Sequence, residues 1–100
     1  MRDTKSMTEK MTVPFGELEV GRFFRMNDEW IRAGGGSDAA YVWRKVETTF
    51  VGRDLFYNAD KFERTDLSAP IMATRFWLDI EVVPLGKEVE EIYERSRTGI

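Results

Sequence analysis

Between Phe15 and Ala33 apolar and charged residues alternate, glycine stands at positions 16 and 21, and Asn27-Asp28 separates two runs rich in aromatic and basic residues. A period of two puts alternate side chains on opposite faces of an extended strand. Asn and Asp both tolerate the positive φ of a two-residue type I′ turn. The stretch therefore predicts a β-hairpin with arms Arg22–Met26 and Glu29–Ala33, entered through a turn in which Leu18 and Val20 alternate with Glu17 and Glu19. In that register Phe24 faces Ile31, Arg25 faces Trp30 and Phe23 faces Arg32. Phe24, Met26 and Ile31 are assigned to the core. Phe23 and Trp30, interleaved with Arg25 and Arg32, become cation-π partners on the opposite face.

The rest of the chain supplies the strands such a hairpin needs. Gly34-Gly35-Gly36-Ser37-Asp38 is too glycine-rich to pack and reads as an exposed loop. Its amides recommend themselves as an anion cradle only if a phosphate-binding motif is present, and there is no Walker pattern. Tyr41 to Val51 is rich in β-branched and aromatic residues and predicts a strand bent near Glu47, followed by a turn at Val51–Asp54 and a short strand Leu55–Tyr57. Asn58 to Arg64 reads as a turn or a single helical turn capped by Asp60. Ile71 to Val83 alternates Phe76, Leu78, Ile80 and Val82 with Trp77, Asp79, Glu81 and Val83, and predicts the longest strand. In Lys87 to Ser96, Val89, Ile92, Tyr93 and Ser96 fall at helical spacing, with acids early and arginines late, as the helix dipole favours. Docking of that helix on the sheet is preferred to docking on a partner. The expected architecture is mainly β: a small SH3-like or partly open β-barrel of about five strands with a C-terminal amphipathic helix, over residues 13–100, preceded by a mobile tail over residues 1–12.

Composition narrows the chemistry. The chain has 100 residues, 42% of them hydrophobic and 13% aromatic, enough for one modest core. It contains neither histidine nor cysteine. That inventory removes the commonest general base, the commonest zinc ligand, thiolate nucleophiles and disulfides. Asp79 and Glu81, at i and i+2, would share a strand face able to meet a hard cation, but two acids on a strand read first as a solvated face. No nucleophile, base and oxyanion donor form a set, so an enzyme is not expected, nor is a cofactor or a metal. The net charge of -3 and a pI of about 5.0 lack the basic footprint of a duplex binder. No apolar run approaches the ~20 residues that span a bilayer, no secretory h-region precedes the fold, and cysteine-free composition fits a reducing compartment, so the expected location is the cytoplasm.

The pattern Phe15-x-x-Leu18-x-Val20-Gly21-x-x-Phe24, then Trp30-x-Arg32, then Ser37 with Ala39 or Ala40, resembles small β-barrel proteins encoded by bacteriophages and related mobile elements. The resemblance covers the middle half of the chain; the triple glycine and the stretch from Ile71 onward depart from it. It implies a small β-barrel in a phage-like context, and a binding protein rather than an enzyme.

Two binding functions follow. In the first, the edge of the barrel, the acidic helix Lys87 to Arg97 and exposed aromatics dock on a protein partner, host or phage, with Tyr, Trp and Arg as the anchoring residue types, and the chain acts as an adaptor or inhibitor. In the alternative, Phe23, Arg25, Trp30 and Arg32, with Tyr41, Trp43, Arg44 and Lys45, form a face on which single-stranded nucleic acid stacks. Both stand against the plainer reading that these aromatics fill the core. Oligomeric state is left open.

Overall fold

A computed structural model describes residues 12–98. The predicted tail therefore lies outside the described residues, apart from Thr12. The fold is mainly β, with six antiparallel strands in one open sheet and a C-terminal helix. The strands are β1 (Val13–Pro14), β2 (Phe23–Met26), β3 (Tyr41–Phe50), β4 (Phe56–Glu63), β5 (Met72–Thr74) and β6 (Glu81–Pro84), in the order β1-β6-β2-β3-β4-β5. Two helices accompany them, α1 (Asp28–Arg32) and α2 (Lys87–Thr98), with 3₁₀ turns at Phe15–Glu17 and Gly36–Ala40.

The predicted hairpin is only half correct. Phe23–Met26 is a strand, but the second arm is α1 and β2 pairs with β3 and β6 instead. Asn27 decides the outcome. Its backbone is extended, and its Oδ1 accepts the Trp30 amide at 2.7 Å, so it works as a helix N-cap rather than as a turn residue. Its Nδ2 also donates to the Glu81 carbonyl, tying the start of α1 to β6. Asp28 and Glu29 in the first turn and Arg32 in the last suit the helix dipole. Gly34, at φ 128°, then turns the chain out of the helix in a conformation strained for other residues.

Two further expectations are overturned. Asn58 to Arg64 is neither a turn nor a helical turn; β4 runs straight through it to Glu63. Ile71 to Val83 is not one strand but β5 and β6, with a crossing segment, residues 75–80, between them. Asp79 therefore lies off the strand that holds Glu81, and among the described residues no three acidic side chains gather as a metal-holding group. The bend in β3 is present, as a break in the β3–β4 register between Lys45 and Thr49.

Adjacent residues in a strand point to opposite faces, so Phe23 and Phe24, and likewise Val42 and Trp43, divide between two cores. On one face Phe15, Leu18, Phe24, Met26, Trp43, Ala59, Phe76 and Val82 form the main cluster. Phe76 stacks on Phe15 at 5.3 Å and meets Phe24 and Trp43 edge-on at 5.3 and 5.7 Å. On the other face Phe23, Val42, Phe62 and Leu67 form a second cluster, covered by Leu85 and by Val89 and Tyr93 of α2. The predicted helix thus docks within the chain. Full burial of each such side chain contributes about 1.5–3 kcal/mol.

The crossing segment closes the main cluster. Asn58, 2% exposed, donates from Nδ2 to the Phe76 carbonyl at 3.0 Å and accepts the Phe76 amide at Oδ1 at 2.9 Å. Farther along, Leu78 and Ile80 accept the amides of Gly16 and Phe15, both at 2.8 Å. Lys45 holds the opposite wall. Its Nζ lies 4.7 Å from the centre of the Phe15 ring and donates to the carbonyls of Phe15 at 3.0 Å and Leu18 at 2.6 Å, and burial lowers its pKa.

Candidate functional site

The register of the sheet builds one row that runs from core to surface. Phe24 pairs with Trp43, Trp43 with Lys61, and Lys61 with Met72. Direct cross-strand partners share a face, so these four side chains lie side by side. Phe24 and Trp43 are buried, Lys61 is half-buried and Met72 is exposed. The outer end of the row is therefore a cleft rather than a closed wall, about 480 Å³ in volume. Trp30 of α1 stands on one side; Arg75, Trp77 and Ile80 of the crossing segment stand on the other, with Phe76 in the floor.

Its chemistry is aromatic and cationic. Lys61 Nζ lies 4.1 Å from the centre of the Tyr41 ring and 5.7 Å from that of Trp43, and the Arg75 guanidinium is 5.1 Å from Trp77 and 5.4 Å from Phe56. Neither cation pairs with a carboxylate among the described residues. Asp38, the acid in the cleft, accepts the Trp30 indole N–H at 2.8 Å. Two polar atoms of the lining residues, Trp43 Nε1 and Thr74 Oγ1, are buried without hydrogen-bond partners. Trp30 is 45% and Trp77 64% exposed, and Ile71, Met72 and Leu78 add exposed apolar surface along the same part of the chain. Single exposed apolar residues are ordinary, but a cluster of large ones beside a cleft marks an interaction surface.

The residues expected to form one aromatic-basic face do not assemble as one. Phe23 is wholly buried in the second cluster and Trp43, 3% exposed, belongs to the main one, so both are core residues; the cause is that the sheet is covered on both faces at β2 and β3. Arg25 is committed to Asp28 at 3.0 Å. Arg32 is exposed at the end of α1. Arg44 points to the helix side, 4.9 Å from the Tyr93 ring, and Lys45 is occupied by backbone carbonyls. Trp30 and Trp43 line the cleft, while Tyr41 lies outside its lining and meets it only through the Lys61 ammonium that stacks on its ring. Lys61, Met72, Arg75 and Trp77 were not among the expected site residues. Arg75-Phe76-Trp77 repeats the cation and aromatic spacing of the first candidates, and that is the one signal that could have raised it.

A larger groove, about 600 Å³, separates Glu19–Arg22 from α2. It is lined by both signs of charge, and Arg22 is already engaged with Glu90 at 3.2 Å and with the Leu85 carbonyl at 2.9 Å. Its Arg22 and Glu90 charges face each other, whereas Lys61 and Arg75 of the aromatic cleft have no carboxylate partner among the described residues. On the same face of the sheet Asp60 sits opposite Arg44, and burial raises its pKa against the pull of that guanidinium.

No helix among the described residues is long and apolar enough to cross a membrane. Comparison with protein-family models, with curated proteins and with solved structures finds no match to the chain.

Proposed function

We propose that the protein is a non-enzymatic protein-binding module, an adaptor or inhibitor, that receives its partner on the cleft between Trp30 and Trp77. The observation that carries this reading is the outer end of the Phe24–Trp43–Lys61–Met72 row, where large apolar side chains stay exposed beside two cations that have no carboxylate partner among the described residues. Trp and Tyr anchor interfaces because they bring large rigid contact area and a polar handle at little cost in entropy, and Arg because its planar guanidinium stacks and hydrogen-bonds at once. The absence of histidine and cysteine from the sequence and the resemblance to phage-encoded barrels support the same class. A cytoplasmic setting and a host or phage protein as partner belong to the proposal on those grounds.

Single-stranded nucleic acid is the second reading, favoured by the stacking of Lys61 on Tyr41 and of Arg75 on Trp77. Selection of displayed random octapeptides on the protein separates the two. The protein reading expects clones whose binding is lost in Trp77→Ala while circular dichroism shows the fold intact. An absence of such clones overturns it, and salt-sensitive binding of an oligothymidylate that is lost in the same variant then puts nucleic acid in its place.

A further inference from the structure

Resting on that protein-binding reading, we infer that the partner segment is an extended, acidic and apolar peptide that adds to the outer edge of β5 as a further strand, with its carboxylates between Lys61 and Arg75.

The two edges of the sheet are built differently. β1 is two residues long and ends in Pro14, which lacks an amide hydrogen. β5 consists of Met72, Ala73 and Thr74, with neither a charge nor a proline within it, and it ends the strand order with no partner on its far side among the described residues. Sheet edges are ordinarily protected by charge, proline, a covering element or sheer shortness, because their unpaired amides and carbonyls invite another strand; of these β5 has only its three-residue length. Met72 and Ala73 are exposed, and no described element covers this edge. An incoming backbone would find its hydrogen-bonding groups there, and alternate side chains would turn into the cleft or away from it.

Charge sets the composition of the segment. Lys61 is the direct cross-strand partner of Met72 on the β4 side, Arg75 follows Thr74 at the end of the strand, and both cations line the cleft beside β5. The protein as a whole carries a net charge of -3, yet neither of these two has a carboxylate partner among the described residues. An acid on the segment supplies it. Ile71, Trp77 and Leu78, all exposed, receive the apolar positions. A nucleic-acid strand would instead bring a phosphate with every nucleotide to a wall that offers two cations and the Asp38 carboxylate, a poorer match.

The experiment is the octapeptide selection read for sequence, repeated on the Lys61→Glu/Arg75→Glu protein. The expected result is enrichment of Asp or Glu alternating with apolar residues on the parent protein, and a shift to Lys or Arg on the charge-reversed one. Synthetic copies of the recovered peptides should lose at least tenfold in affinity when N-methylated at alternate residues and little at the residues between, as one-sided strand pairing requires. Neutral or basic peptides on the parent protein, or a recovered set unchanged by charge reversal, overturn the inference while leaving the protein-binding reading standing. Affinity insensitive to N-methylation at every position overturns strand addition. No Trp77-dependent clone at all overturns both.

Discussion

Asn58 gives the sharpest test of how the cleft is held, because one buried side chain satisfies both backbone groups of Phe76. Asn58→Leu keeps the size and removes both partners. A buried amide or carbonyl left without a partner costs about 1–3 kcal/mol, so the pair predicts a loss of about 2–6 kcal/mol. That is a large part of the roughly 5–15 kcal/mol by which domains are stable. Asn58→Asp is more diagnostic. As a carboxylate the new side chain still accepts the Phe76 amide but faces the Phe76 carbonyl with no donor and with a buried charge. As a neutral carboxyl it donates to that carbonyl and reproduces the asparagine. Burial raises its folded pKa above the unfolded value of about 3.9, so the native state binds more protons between the two and stability falls as pH rises through that window. Urea unfolding followed by tryptophan emission should show Asn58→Asp strongly destabilised at pH 7 and recovering toward pH 4 relative to the parent, at constant slope. A gap that does not change with pH, or a cost below about 1 kcal/mol for Asn58→Leu, would refute the clamp as an account of the crossing segment.

Other expectations follow from single contacts. Tyr93→Ala removes the ring that lies 5.3 Å from Phe23 and 5.6 Å from Phe62 and should cost about 2 kcal/mol, with hydrogen exchange quickening in α2 before β3 and β4. Gly35→Ala places a methyl group against the Trp30 indole; the Trp30 Nε1–H resonance should lose its bond to Asp38, while stability falls by less than about 1 kcal/mol. Asp60 has a raised pKa, so its ionisation weakens the native state as pH rises from about 3.9 through the folded value. Asp60→Asn should therefore match the parent at pH 3 and melt higher at pH 7; a lower melting temperature at pH 7 would show that the attraction of Arg44 outweighs desolvation.

The parts of the fold visible in the sequence are those whose signal is local. The heterogeneous charge and the apolar stripe of Lys87–Ser96 mark α2, and the aromatic and β-branched run marks β3 with its break. The parts that were misread depend on distant partners. Asn27 carries two opposed local meanings, turn and N-cap, and the bond to Glu81 on a distant strand reinforces the second. Asn58 and Asp60 are poor strand formers, yet β4 holds Asp60 because β3 and β5 pair with it on both sides, and holds Asn58, at the register break, through its bonds to Phe76. The alternation from Phe76 to Val82 is real but does not mark one strand. Leu78, which it assigns to the side of Phe76, is 65% exposed, because the chain there leaves the sheet to cross it. The cleft was half legible for the same reason: Trp30 and Trp43 are near in sequence, whereas Arg75 and Trp77 arrive only through that crossing.

The pairing of β1 with β6, Val13 with Val82, joins residues near the two ends of the described chain. Phe15 likewise waits for Phe76, Leu78 and Ile80. During synthesis the β3–β4 pair is complete once Glu63 has left the ribosome, but Phe15, Phe24 and Trp43 keep their wet faces until residues 76–82 have followed. Non-local closure of this kind is slow and leaves apolar surface open in the meantime. The nascent chain thus passes through a stage in which its future core is its stickiest surface, and the last third of the sequence ends that exposure.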